Sequence, residues 1–176
     1  ARQESAPLAD LVRDINKFSN NVMARQVFLS LGNDGTPASA EQARRRVAAW
    51  LGTRGLDFPG LVLDNGSGLS RLERISASQL NQLLLDAWRS PLMPEFIASL
   101  PLAGVDGTMK KRLNGSPVAG RAHIKTGTLD GVRSAAGYAI DAAGRRYALS
   151  FLINDAQAQE GGAAIDALLD WIAARQ

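Results

Sequence analysis

The chain has 176 residues, enough for one domain with a core of its own, and its 45% hydrophobic and 21% charged content is the ordinary mix of a globular protein. No apolar run approaches the length of a membrane span, no cysteine is present to form a disulfide or a thiolate metal site, and the single histidine, His123, excludes a multi-histidine metal centre. The net charge of +3 does not build a nucleic-acid footprint: the dense basic spots, Arg44 to Arg46 and the pair Lys110 and Lys111, have no interleaved aromatic residues and read as solvated faces.

The first half of the chain reads as helices. Leu8, Leu11, Val12 and Ile15 recur at helical spacing, with Ser5 and Pro7 as start signals. Residues 17–20 interrupt that pattern, and a second apolar run follows over 22–31. A loop with Asn33, Asp34, Gly35 and Pro37 comes next. Ser39 and Gln42 then have the spacing of a capping box, opening a helix to about Arg54. Leu61, Val62 and Leu63 suggest a short strand running into the turn-rich loop at 64–68. A second capping box, Ser76 with Gln79, starts a helix through Trp88, and the segment 92–100 is helical too, closed by Pro101.

Beyond residue 120 the period changes. Residues 122–128, 132–140 and 146–153 read as three strands, joined by Asp130-Gly131 and by a turn at 141–144. Gly161 and Gly162 precede an amphipathic helix carrying Ile165, Leu168, Leu169 and Ile172. Helices, an antiparallel meander and a terminal helix, in that order, predict an α+β fold rather than a nucleotide-binding βαβ array. The expected division is a helical lobe over about 1–120 and a sheet with its terminal helix over about 121–176.

Two short motifs carry candidate chemistry. Lys125-Thr126-Gly127 begins a hairpin strand, where side chains alternate, so Lys125 and Gly127 face one way and Thr126 and Thr128 the other. A cation and a hydroxyl then flank a strand edge, an arrangement suited to holding a carboxylate. Gly127 removes the side chain that would keep a peptide from lying alongside. For the tripeptide alone an ordinary strand with a turn is the favoured reading; its place at the start of a hairpin strand is what points to a site. Ser19-Asn20-Asn21 lies where the first helical pattern breaks, so that a hydroxyl and an amide two residues apart can converge on one cleft; both residue types are also common helix caps.

In this order the motifs match the S-x-N and K-T-G pair of serine β-lactamases and penicillin-binding proteins. Four longer stretches, FSNNVMARQVF, DNGSGLSR, LPLAGVDGTMKKRL and GRAHIKTGTLDGVRSAAGYA, are more specific. On them the chain resembles the C-terminal part of the low-molecular-mass penicillin-binding proteins of the D-alanyl-D-alanine carboxypeptidase/endopeptidase type. The resemblance implies a β-lactamase/transpeptidase-like fold, of which this chain supplies a helical lobe, three antiparallel strands and a terminal helix. It implies peptidoglycan stem peptides ending in D-Ala-D-Ala and β-lactams as ligands, a periplasmic or cell-envelope location, and no cofactor. By the same resemblance Ser19 would relay a proton to the leaving amine, Asn21 would bond the substrate carbonyl, and Lys125 would orient Ser19 and supply charge. Thr126 would bind the terminal carboxylate, Gly127 would leave room for the peptide, and the Thr128 N–H would form half of an oxyanion hole. The loop at 64–70 is expected to be a glycine-rich turn that fixes a helix entry, and His123 to pack at the sheet edge without a catalytic role.

The nucleophile of that family is the serine of an S-x-x-K motif. The residues three positions before Lys17, Lys110, Lys111 and Lys125 are Asp14, Gly107, Thr108 and Ala122, and none is serine. The isolated chain is therefore expected to be inactive, with the nucleophile and two further strands on an upstream segment. The sheet edge those strands would cover predicts dimerisation or strand exchange in their absence. The alternatives are a non-catalytic peptide-binding or structural module of the same fold, and a serine β-lactamase.

Overall fold

A computed structural model describes residues 4–33, 35 and 37–176; Asp34, expected in the first loop, lies outside the described residues. Among the described residues five α-helices precede the sheet: α1 (Leu8–Phe18), α2 (Asn21–Ser30), α3 (Ala40–Thr53), α4 (Ala77–Trp88) and α5 (Met93–Ser99). Both capping boxes form, Ser39 with Gln42 at α3 and Ser76 with Gln79 at α4, each pair satisfying two N–H groups that the first turn leaves open. Pro7, rather than Ser5, sits at the start of α1, and it contributes no side-chain cap. Helix α1 forms over its predicted stripe, yet none of its residues is buried and Leu8 is 63% exposed. Polar contacts tie its end to α5 and the segment beyond. Asn16 Nδ2 donates to Ser99 Oγ at 2.8 Å and Lys17 Nζ to the Leu100 carbonyl at 2.7 Å.

Strands β1 (Ala122–Leu129), β2 (Val132–Ile140) and β3 (Arg146–Asn154) form an antiparallel sheet in the order β1-β2-β3, and α6 (Gly162–Ala173) follows. The register sets Thr126 opposite Ala135, Gly127 opposite Ser134 and Thr128 opposite Arg133. Alternation gives the sheet two apolar faces. One carries Ala122, Ile124, Ala135 and Leu149 against Ile165, Leu169 and Ile172 of α6. The other carries Tyr138, Ala136 and Ala148 against Leu84 of α4 and Phe96 and Ile97 of α5. Tyr138 is buried there and donates its hydroxyl to the Leu84 carbonyl at 2.6 Å, and burial pushes its pKa up to about 12. The sheet thus lies between α6 and the helical lobe.

The strand expected at Leu61 to Leu63 is not formed. Val62 makes one isolated antiparallel bridge to Arg74, which pinches the loop between them at its base. Two backbone hydrogen bonds at this one pair close the loop, whose Asx and Ser turns then carry the chain away from any ladder. The outer edge of β3 has no partner strand among the described residues. On the other side of the sheet, the first part of β1 is covered. Leu102 bridges His123, Ala103 N donates to the Ala122 carbonyl at 2.9 Å, and Ile124 N donates to the Pro101 carbonyl at 2.8 Å.

Candidate active site

Ser19 ends α1 in the left-handed conformation, at φ 55° and ψ 48°, and its N–H returns to the Ile15 carbonyl. Glycine is the usual residue there because a Cβ costs about 1–2 kcal/mol in that conformation. The turn reverses the chain at once: Asn20 caps α2 by accepting from Met23 N, and Asn21 becomes the first residue of the new helix. Ser19 and Asn21 are thereby aimed off a tight corner between two helices.

That corner is clamped from behind. Lys17 Nζ reaches both Asp106 oxygens, at 2.8 and 2.7 Å, and Asp106 also accepts from Leu102 N. Burial by itself would raise the Asp106 pKa, but the hydrogen bonds from Lys17 and Leu102 N outweigh it and hold the carboxyl below its usual range. Gly107 lies at φ +55°, where a Cβ would meet the Lys17 carbonyl at 2.6 Å. The stretch LPLAGVDGTMKKRL is therefore the bracket that seats the end of α1. His123, half-buried on β1 beside this pair, has its pKa lowered by desolvation and by the Lys17 charge, and its Nδ1 has no partner.

The loop at 64–70 closes the other side. Asn21 Nδ2 donates to the Ser67 carbonyl at 2.6 Å, and Gly66 packs so tightly on Phe28 of α2 that an added Cβ would fall 2.4 Å from its Cβ. The loop thus braces α2 at both ends, at Asn21 and at Phe28, rather than the helix that follows it in sequence. An amide nitrogen carries two hydrogens, so Asn21 keeps a second donor.

Across the cleft, Lys125 Nζ donates to Ser19 Oγ at 2.9 Å and to the Thr126 carbonyl at 2.9 Å. Desolvation lowers the Lys125 pKa, so this ammonium releases its proton more readily than a surface lysine. Backbone groups alternate along a strand, and those of Ala122 and Ile124 point outward to residues 101–103. Thr126 and Thr128 share that parity, so their backbone groups also face outward, at the part of the edge left open. Ser19, Asn21, Ser67 and the four residues 125–128 line a single cleft of about 1010 Å³.

The profile of the D-Ala-D-Ala carboxypeptidase 3 (S13) family matches residues 1–175. The chain belongs to that family. It is 37% identical over 144 residues to a D-alanyl-D-alanine carboxypeptidase of Actinomadura sp., covering 78% of this chain and 27% of that protein. It is 34% identical over 175 residues to carboxypeptidase DacB of Mycolicibacterium smegmatis, covering 96% and 38%. Among solved structures, penicillin binding protein 4 of Haemophilus influenzae, complexed with a β-lactam, superposes with a TM-score of 0.81 at 27% identity, over 94% of this chain and 42% of that one. The chain thus spans about a third of the length of the curated relatives it matches.

All six site residues expected from the sequence, Ser19, Asn21, Lys125, Thr126, Gly127 and Thr128, stand around this cleft. Three further features lie outside the two short motifs: the Lys17–Asp106 clamp, the Ser67 carbonyl on Asn21, and Arg133, whose Nη1 donates to Thr128 Oγ1. The strand register Thr128 to Arg133 is the sequence signal from which the last could be found, since the Asp130-Gly131 turn fixes it. Among the described residues no helix is long and apolar enough to cross a membrane.

Proposed function

We propose that this chain is the substrate-binding part of a single transpeptidase-like domain in a serine DD-peptidase, which cleaves peptidoglycan stem peptides ending in D-Ala-D-Ala through an acyl-enzyme and is acylated by β-lactams. The observation that carries the reading is the 2.9 Å hydrogen bond from Lys125 Nζ to Ser19 Oγ, made across 106 residues of chain. An ammonium held on a serine hydroxyl, in a cleft that also carries an amide donor and a free strand edge, is a proton-relay and anion-binding arrangement.

In this reading the substrate lies along the open part of β1, in the space Gly127 leaves. Asn21 offers its second amide hydrogen to the peptide carbonyl. The Thr128 N–H, outward by parity, supports the developing oxyanion, and Thr126 holds the terminal carboxylate. Lys125 orients Ser19 and keeps positive charge in the cleft, and Ser19 carries the proton to the departing D-alanine amine. The serine nucleophile and its activating lysine come from an upstream segment of a longer protein, which acts in the periplasm or cell envelope. Alone, the chain is inactive, and the bare edge of β3 is where upstream strands or a second copy would pair.

Labelling with a fluorescent penicillin tests this. The complete protein labels covalently, whereas the 176-residue chain does not. Covalent labelling of the chain alone would mean that another nucleophile exists here; failure of the complete protein to label would favour a non-catalytic peptide-binding module.

A further inference from the structure

On the α6 face of the sheet the cleft holds a cation for which the roles above have no use. Arg133 lies directly across from Thr128 on β2, and its Nη1 donates to Thr128 Oγ1. Its Nε is buried without a partner, and no carboxylate lies within ion-pair distance of it among the described residues. The neighbouring Arg112 differs. Its Nε is bound to Asp166 at 2.6 Å and its Nη2 to the Gly162 carbonyl at 2.8 Å, so the nearby acidic group is already engaged. Both guanidinium groups come close to Gly162 at the start of α6, and both line the cleft with Thr126 and Thr128.

Alternation separates Lys125 from Arg133. Lys125 points to the helical lobe, where Ser19 Oγ and the Thr126 carbonyl occupy it. The hydroxyls of Thr126 and Thr128 lie on the opposite face, with Arg133. An anion held by those hydroxyls is therefore on the side of Arg133, not of Lys125. The Thr128 oxygen accepts from Arg133, which leaves its own hydrogen free to be donated. A buried guanidinium N–H with no acceptor is a costly arrangement that an incoming carboxylate relieves.

We propose that Arg133 is a specificity-determining residue that reads the terminal carboxylate of the ligand, acting with the Thr126 and Thr128 hydroxyls. The inference rests on the DD-peptidase reading above and names the group that supplies its charge recognition. It separates ligands bearing a free carboxylate next to the scissile amide from otherwise identical neutral ones.

The test compares acylation of the complete protein by benzylpenicillin and by its methyl ester, which differ only in that carboxylate, each followed by intact mass. The wild-type acid-to-ester rate ratio is the reference. In Arg133→Met the ratio falls by about 10- to 100-fold, the loss expected for a hydrogen-bonded charge. In Arg133→Lys, which keeps the charge but not the fork, it recovers part of that loss. An unchanged ratio in a folded Arg133→Met variant overturns the assignment. Should that variant fail to fold, Arg133→Lys with a wild-type ratio and Arg133→Gln with an equal one would do the same. A wild-type protein acylated by neither compound overturns the DD-peptidase reading itself, and this inference with it, whereas acylation by both at one rate overturns carboxylate recognition alone.

Discussion

Strand β1 is one continuous strand with two different halves. Over Ala122 to Ile124 its outer edge is occupied, because residues 101–103 bond to the Ala122 carbonyl and the Ile124 N–H, and the inward side chains are fully buried against α6. Over Thr126 to Thr128 the same backbone parity continues, but no segment among the described residues covers the edge, and the side chains line the cleft. The covered half anchors the strand to the core and to the bracket behind α1. The open half is then held at fixed height and register for a ligand to complete. One ladder thus serves both purposes, and what separates them is where the covering segment turns away at Pro101.

The division is sharp enough to be broken by mutation. The largest effect belongs to the open half. Lys125→Met in the complete protein slows penicillin acylation by about 100- to 10,000-fold, the range for loss of a proton-transfer group. It leaves the urea midpoint close to that of the wild type, because the ammonium is buried at a cost. In the covered half, Ile124→Ala reverses the pattern: it empties a fully buried site and lowers stability by about 2–5 kcal/mol in urea denaturation. Should Ile124→Ala slow acylation of the still-folded protein as much as Lys125→Met does, the two halves are not separable.

At the boundary, Gly127→Ala tests space rather than charge. An added Cβ would meet Ser134 Oγ at 2.4 Å, the end of a side chain that can turn aside, so the single variant loses about 0.5–1.5 kcal/mol, the cost of displacing that rotamer. The pair Gly127→Ala with Ser134→Ala recovers most of it, and a double-mutant cycle reads the coupling directly. The smallest effect is expected away from β1, at the β2–β3 turn. Buried Asp141 would have its pKa raised by desolvation, but hydrogen bonds from Arg145 and Tyr147 win and lower it from 3.8 to about 2. A carboxyl with a native pKa below its unfolded value stabilises the fold above that unfolded value, and the contribution is lost as pH falls towards the native one. Stability therefore declines between about pH 4 and pH 2, and Asp141→Asn flattens that decline in an acid titration followed by circular dichroism.

The parts of this protein that were legible in the sequence are those decided within a few residues. Capping boxes at Ser39 and Ser76, the period-2 strands and the Asp130-Gly131 turn form as read, because their hydrogen bonds close locally. The missing S-x-x-K was likewise readable, since only spacing defines it. Residues 61–63 have the apolar run of a strand but do not form one, because a strand requires a partner over several residues and Arg74 supplies only one bridge. Tertiary structure alone decided the rest. The Lys125–Ser19 contact joins residues 106 apart, and the Lys17–Asp106 clamp joins residues 89 apart, each depending on how α1 seats against residues 100–107. The placement of Asn21 on Ser67, and of Arg133 on the open face without a carboxylate, follows from the packing of whole elements. No local spacing encodes such contacts: their geometry exists only once helix and strand are held against each other.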